Sequence, residues 1–188
     1  MPEYGAQYQD DSVAASYHLR QPYTQELFTT LVEITIREYQ PADASGLRRC
    51  VVQLQEYERT LEPRLRAGEI IADAYCEMIH VRCRRSRGCV FMADEAGTVV
   101  GFAAALAHVP FTELDDPPGT YALVTDLVVL PNYRGRGIGR RLLEHAESFV
   151  RAEGASELRI GVLASNEARR LYVARGFTPY LEILAKRL

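Results

Sequence analysis

The sequence has little of what marks secreted, membrane-spanning or nucleic-acid-binding chains. Its four cysteines among 188 residues form no CxxC pair, which argues against a disulfide framework and favours reduced thiols. No run of eighteen apolar residues occurs, and the first thirty residues lack a basic segment followed by an apolar one. We therefore expect a cytoplasmic protein with no membrane partner. A formal net charge of -3 likewise predicts no nucleic-acid partner.

The composition that is present, 47% hydrophobic and 25% charged, is ordinary for a globular protein, and 188 residues suit one domain. Sustained periodicity begins where Val32, Ile34 and Ile36 alternate with polar residues. We therefore predict a domain over residues 31–188 and an N-terminal arm, residues 1–30, outside its core. The arm is either a loosely ordered terminus or a segment that lies on a partner subunit.

Hydrophobic periodicity predicts the order strand, two helices, three strands, helix, strand, helix, strand. A glycine is expected just after each of the last two helices, at Gly154 and Gly176. The chain is therefore expected to be α/β, with one layer of sheet covered by helices. The strands are predicted around 32–39, 89–94, 99–109, 121–130, 158–163 and 177–186, and the helices around 41–62, 67–85, 138–150 and 166–175.

Between a strand and a helix, residues 133–140 read YRGRGIGR. Glycines allow backbone N–H groups to approach a ligand closely, and the helix that starts near Ile138 adds free N–H groups and a positive dipole end. This combination predicts a phosphate site. A P-loop is excluded because no lysine is followed by Ser or Thr, and Gly135, Gly137 and Gly139 have the spacing GxGxG rather than the dinucleotide pattern GxGxxG.

The pattern R-x-x-G-x-G, made by Arg134, Gly137 and Gly139, is accompanied by TIREYQPAD, TVVGFAAAL and NEARRLYVARGF in that order around it. With these segments the chain resembles the GCN5-related N-acetyltransferase (GNAT) family over about residues 32–188. The resemblance implies a mixed, mostly antiparallel sheet with a splayed parallel pair formed by the fourth and fifth strands, flanked by about four helices. It also implies acetyl-CoA as cosubstrate and no metal.

The resemblance further assigns cofactor-binding residues. The backbone of the fourth strand would bind the pantetheine arm, and the glycine segment would hold the pyrophosphate. Each arginine of the segment could instead be a solvated surface residue. The implied set is Leu127, Val128, Val129, Arg134, Gly135, Arg136, Gly137, Ile138, Gly139, Arg140 and Asn166.

Tyr172, six residues after Asn166 as in the family, is the predicted catalytic acid; the alternative is a tyrosine that only packs. The positions of the glutamate that some family members carry on the fourth strand hold Leu123 and Thr125, neither of which can act as a base. Asp126 is expected to be a structural, hydrogen-bonded carboxylate. The base stays unassigned, with Glu56, Glu113 or a chain of waters as candidates.

Two clusters carry open alternatives. Cys76, His80 and Cys83 share a predicted helix face and could bind zinc, but packed thiols explain the same spacing and no fourth ligand is evident. Two acidic groups would attract a cationic acceptor if they converge, and an ordinary solvated surface explains them equally well. These groups are Glu56, Glu58 and Glu62 at the end of the first helix and Glu113, Asp115 and Asp116 in the loop before the fourth strand.

The sequence thus predicts an N-acetyltransferase that transfers an acetyl group from acetyl-CoA to a primary amine, in a small molecule or a peptide, by direct attack in a ternary complex. A non-catalytic acyl-CoA-binding sensor is the alternative. Because the chain after Gly176 is long enough for one strand, where family members often have two, an uncovered sheet edge is expected. This edge, with the N-terminal arm, suggests a homodimer.

Overall fold

Residues 33–186 are the part of the chain that the computed structural model describes, and they contain one five-stranded sheet. In spatial order its strands are β1 (Ile34–Glu38), β2 (Gly88–Glu95), β3 (Thr98–Pro110), β4 (Thr120–Val129) and β5 (Leu158–Ile160). The first four strands pair antiparallel, whereas β5 runs parallel to β4. The predicted mixed, mostly antiparallel sheet is confirmed. The N-terminal arm, residues 1–30, lies outside the described residues.

Four α-helices accompany the sheet in the described residues: α1 (Ala44–Leu61), α2 (Gly68–Arg85), α3 (Ile138–Ala152) and α4 (Arg169–Ala174). Apolar side chains of α1 and α2 form one buried cluster with β2 and β3, and those of α3 and α4 form a second. Phe102 on β3 is fully buried in the first cluster, and its neighbour Ala103 in the second. Adjacent strand residues point to opposite faces, so helices cover both faces of the sheet.

Turn chemistry explains how the chain reverses between these elements. Ala96 and Gly97 connect β2 to β3 with φ angles of 49° and 83°, the left-handed pair that a tight hairpin needs. Gly154 and Gly176 follow α3 and α4 with φ angles of 88° and 90°, which agrees with the C-terminal glycines expected from the sequence.

An ion-pair network joins β1 to the start of α1. Arg37 donates two hydrogen bonds to Asp43, at 2.7 and 2.8 Å, and one to Asp94 on β2 at 2.7 Å. These bonds hold the pKa of the Asp43 carboxyl below its usual value, the hydrogen bond from Arg37 being the largest cause. The network therefore fixes where α1 begins relative to the sheet.

The end of the chain differs from the sequence prediction. Residues 177–186 form no strand, and β5 stops at Ile160 instead of continuing to 163. A strand needs a neighbour to which its backbone can hydrogen-bond, and this tail pairs with no strand in the described part of the chain. Its apolar side chains are consequently exposed, Tyr180 to 71%, Ile183 to 86% and Leu184 to 92%.

Candidate active site

The glycine segment lies between a short 3-10 helix (Pro131–Tyr133) and the N-terminus of α3. Gly135 and Gly137 have φ angles of 76° and 75°, where a side chain costs about 1–2 kcal/mol. A Cβ placed on either residue would meet no protein atom within 4 Å. The backbone N–H groups at the start of the 15-residue helix α3 therefore adjoin open space, in which an anion fits.

The three arginines of this segment are exposed, and each has a partner within the protein. Arg134 donates from Nε to the Val129 carbonyl at 3.0 Å, and its guanidinium lies 5.2 Å from the Tyr57 ring centroid. Arg136 pairs with Glu95 at 3.4 Å and Arg140 with Glu144 at 2.9 Å. Exposed pairs of this kind contribute about 1 kcal/mol or less, so both guanidinium groups remain available to phosphate.

The edge of β4 that faces β5 is open over half of its length. β5 pairs with Ala122, Leu123 and Val124, and no strand within residues 33–186 pairs with this edge from Thr125 to Val129. Leu127, Val128 and Val129, the residues expected to offer main-chain groups, lie in this open stretch. Leu127, Val128 and Val129 also pair with β3, so only their main-chain groups that point away from β3 can bind a ligand. Of these, the Val129 carbonyl accepts the hydrogen bond from Arg134.

A β-bulge interrupts β4 beside this opening. Val124 lies opposite Ala105 and Asp126 lies opposite Ala104, so Thr125 is the extra residue. The bulge shifts the alternation of side chains along β4. Val124 packs in the cluster with α3, whereas Val128, which simple alternation would put on the same face, packs in the cluster with α1 and α2. Asp126 consequently faces α2. This bulge was not predicted, because an almost continuously apolar strand lacks the alternation that would show a change of face.

Asp126 is 5% exposed and both of its carboxylate oxygens are hydrogen-bonded. The Tyr75 hydroxyl donates to Oδ1 at 2.8 Å and the Thr125 hydroxyl to Oδ2 at 2.7 Å. Burial raises the pKa of Asp126 above its usual value. The structural role expected for this residue agrees with these bonds.

Tyr172 projects from α4 into the cluster that also contains Leu127, Val129 and Ile138, and it is 7% exposed. Its ring packs edge-to-face on Phe177, with centroids 6.1 Å apart. Burial, with a smaller contribution from the charge of Glu58, raises the pKa of Tyr172 to about 12. With this raised pKa the hydroxyl is protonated at neutral pH. It has no hydrogen-bond partner among residues 33–186, which leaves it available to a ligand.

Asn166 has a partly structural role. Its Oδ1 accepts hydrogen bonds from the Ala168 backbone N–H at 2.9 Å and from the Tyr57 hydroxyl at 3.4 Å, which joins the loop before α4 to α1. The same side chain lines an open cleft of about 700 Å³ beside α4. The other lining residues are Ala164, Ser165, Glu167, Arg169, Arg170, Val173 and Ala174.

The remaining clusters can be placed as well. Cys76 and Cys83 pack against the core cluster beneath α2, and the His80 ring lies 4.6 Å from that of Tyr39. Within residues 33–186, no group of three or more His, Cys, Asp or Glu side chains could hold a metal ion. Over the same range, no helix is both long and apolar enough to cross a membrane.

Comparison with known proteins defines the class to which this fold and site belong. The family model described as "Acetyltransferase (GNAT) family" matches residues 51–177. The thialysine N-epsilon-acetyltransferase of Bos taurus is 29% identical over 147 residues, covering 76% of this chain and 83% of the bovine enzyme.

Solved structures agree on the fold. A variant of the BH1408 protein from Bacillus halodurans superposes with a TM-score of 0.70 at 21% identity, covering 82% of this chain and 99% of that one. An aminoglycoside N-acetyltransferase in complex with coenzyme A has a TM-score of 0.58 at 19% identity, covering 82% and 98%.

This chain belongs to the acetyltransferase (GNAT) family. The enzyme class predicted from the sequence, an acetyl-CoA-dependent N-acetyltransferase, is confirmed. The family match therefore favours an enzyme over the non-catalytic sensor.

Proposed function

We propose that this enzyme transfers the acetyl group of acetyl-CoA to a primary amine of a small molecule or peptide, by direct attack within a ternary complex. The observation that carries the proposal is that three features adjoin one buried cluster of side chains. The glycine segment, the unpaired stretch of β4 and the free hydroxyl of Tyr172 all adjoin the cluster that contains Ile138, Leu127 and Val129.

The residues present fit acetyl-CoA, which would supply an acetyl group activated as a thioester. The N–H groups from Gly135 to Arg140, together with the guanidinium groups of Arg136 and Arg140, suit a pyrophosphate. The open edge of β4 can hydrogen-bond an extended amide-containing chain in the manner of an added strand. Asn166 lines the cleft beside α4 and would contact the same ligand.

Tyr172 would donate its proton to the sulfur that leaves when the acetyl group is transferred. A buried phenol with a pKa of about 12 is fully protonated at neutral pH, as a proton donor requires. That this hydroxyl has no hydrogen-bond partner among the described residues supports the donor role over a purely packing role.

The names of related proteins support an amine acceptor. The bovine relative is named for the ε-amine of thialysine, and the coenzyme A complex is that of an aminoglycoside acetyltransferase. The chain should therefore be incubated with acetyl-CoA and each of thialysine, an aminoglycoside and a lysine-containing peptide. We expect release of free thiol and an added acetyl group by mass spectrometry for at least one amine. Binding of acetyl-CoA in calorimetry without acetylation of any amine would contradict the proposal.

We further propose that the enzyme is a symmetric homodimer. β5 is a three-residue strand at the edge of the sheet. The exposed apolar tail at residues 180–184 pairs with no strand within residues 33–186. An uncovered edge favours pairing with another chain. Light scattering should give twice the chain mass of 21.2 kDa for the full chain. If the tail alone forms the interface, the chain without residues 1–30 should also be a dimer. A mass of one chain would contradict the dimer.

A further inference from the structure

Glu58 lies near the C-terminal end of α1, on the face of the helix that is buried. Leu47 and Val51, at 1% exposure each, are eleven and seven residues before it, and these spacings place all three side chains in one stripe. Glu58 is half-buried. An acidic side chain in an apolar stripe is rare in proteins unless it is paired, so its surroundings are informative.

The Glu58 carboxylate accepts no hydrogen bond and forms no ion pair within residues 33–186. Glu56, on the same helix, differs, because it pairs with Arg59 at 2.7 Å and accepts a hydrogen bond from the Gly68 N–H at 2.7 Å. An inward carboxylate without a partner leaves hydrogen-bonding capacity for a group that comes from outside the protein.

Three other elements contribute the titratable groups around this carboxylate. Asp126 on β4 and Tyr75 on α2 are hydrogen-bonded to each other, and Tyr172 projects from α4. Burial, followed by the charge of Asp126, raises the pKa of Glu58, and the charge of Glu58 in turn raises the pKa of Tyr172. Arg82 on α2 is the cation whose charge acts on Asp126 and Tyr75. The site thus holds two carboxylates and two phenols.

Such a site favours a cation. Asp126 uses both of its oxygens within the protein, so Glu58 is the carboxylate that can contact a ligand. We propose that Glu58 binds the ammonium group of the acceptor and removes its proton, with Asp126 adding negative charge from behind. This inference rests on the proposed function. It assigns the general base, which the sequence left open, and it specifies an acceptor whose primary amine is cationic in solution.

The proton and electron changes balance with these residues. One proton passes from the ammonium nitrogen to the Glu58 carboxylate, and the neutral nitrogen then bonds to the acetyl carbon. The carbon–sulfur bond breaks with its electron pair on sulfur, and the sulfur takes the proton of the Tyr172 hydroxyl. The second nitrogen proton restores the Tyr172 phenol, and Glu58 releases its proton to water.

The test compares Glu58→Gln with Glu77→Gln, which removes the same charge from an exposed residue of α2 that pairs with Arg84 at 3.0 Å. With thialysine at pH 7 we expect Glu58→Gln to lower kcat/KM about 10²-fold or more, which is the usual size of a general-base contribution, and Glu77→Gln to leave it unchanged. The acetyl-CoA Kd from calorimetry should be the same in both variants. Glu58→Asp, which keeps a carboxylate, should recover part of the rate.

Amines that differ in basicity distinguish a general base from a residue with only a structural role. Ethylamine is protonated at pH 7 and trifluoroethylamine is largely neutral, so Glu58→Gln should slow acetylation of the first far more than of the second. In addition, the carbon-13 carboxyl signal that disappears in Glu58→Gln should shift when thialysine is added to the wild-type protein, whether or not turnover occurs.

The two proposals fail differently. If the wild-type protein acetylates thialysine and Glu58→Gln does so at the same rate, the assignment of Glu58 is wrong and the proposed function stands. Equal slowing of ethylamine and trifluoroethylamine also overturns the assignment. If wild-type protein binds acetyl-CoA but acetylates no amine, both are wrong.

Discussion

Substitution of Gly137 tests the proposed acetyl-CoA site most directly, because the structure separates the effect of the substitution on folding from its effect on acetyl-CoA binding. Gly137 has a φ angle of 75° and an added Cβ would meet no protein atom within 4 Å. Gly137→Asp therefore introduces a Cβ that clashes with none of the described residues. Its cost to folding is the backbone strain of a left-handed residue, about 1 kcal/mol, which corresponds to a fall in Tm of about 2–4 °C for a chain of this size.

The effect on binding is expected to be larger. A carboxylate at this position would lie at the N-terminus of α3, beside the place proposed for the pyrophosphate. Two unit negative charges about 5 Å apart repel by about 2 kcal/mol at an effective dielectric constant between those of water and a protein surface. The loss of space over the backbone adds to this repulsion. Acetyl-CoA should therefore bind about 30-fold more weakly or worse, since 1.4 kcal/mol corresponds to a tenfold change in Kd.

Gly154 provides a matched control on the same helix. It has a φ angle of 88°, an added Cβ there also meets nothing within 4 Å, and it follows the C-terminal end of α3. Gly154→Asp should show a similar fall in Tm with an unchanged acetyl-CoA Kd. Calorimetry on both variants decides the matter, and equal affinities in the two would refute the assignment of the glycine segment to phosphate binding.

Two further predictions concern catalysis and stability. Tyr172→Phe should lower kcat about 10²-fold while leaving the acetyl-CoA Kd largely unchanged, and wild-type turnover in steady-state assays would mean that Tyr172 only packs. Asp43→Asn should cost about 2 kcal/mol at pH 7 in urea unfolding, because the hydrogen bonds from Arg37 are to a charged group. The folded-state pKa of Asp43 is lowered, so this stabilisation is fully present above the ordinary aspartate pKa of about 4 and is lost as the pH falls through the lowered value. The difference between wild type and Asp43→Asn should therefore shrink in acid, and Asp73→Asn, in an exposed pair with Arg48, should change little at any pH.

Local signals account for what was correctly predicted from the sequence. Alternation and helical spacing depend on side chains a few residues apart, and they predicted the order of strands and helices up to α4. Conformational preference is also local, so the left-handed glycines at Gly154 and Gly176 were readable without knowledge of their neighbours. The glycine segment before α3 belongs to the same category, since its spacing and its place before a helix are both properties of the chain.

The failures arise where a residue's environment depends on distant parts of the chain. Residues 177–186 are apolar enough to suggest a last strand, yet they form none, because a strand is completed only by a neighbour and the local sequence does not supply one. The bulge at Thr125 is a property of the pairing between β3 and β4. Without it, the direction in which Asp126 points relative to Val124 is assigned wrongly by simple alternation.

The candidate site combines both kinds of information. The spacing of Glu58 from Leu47 and Val51 already placed a carboxylate in an apolar stripe, and this signal was available in the sequence. The sequence could not show that the carboxylate would lack a partner or that Asp126, Tyr75 and Tyr172 would surround it. Those groups come from three other elements, and packing of α1, α2 and α4 against β4 brings their charges within reach of one another. Local preference sets the kind of residue at each position, and only long-range packing sets which residues can act together.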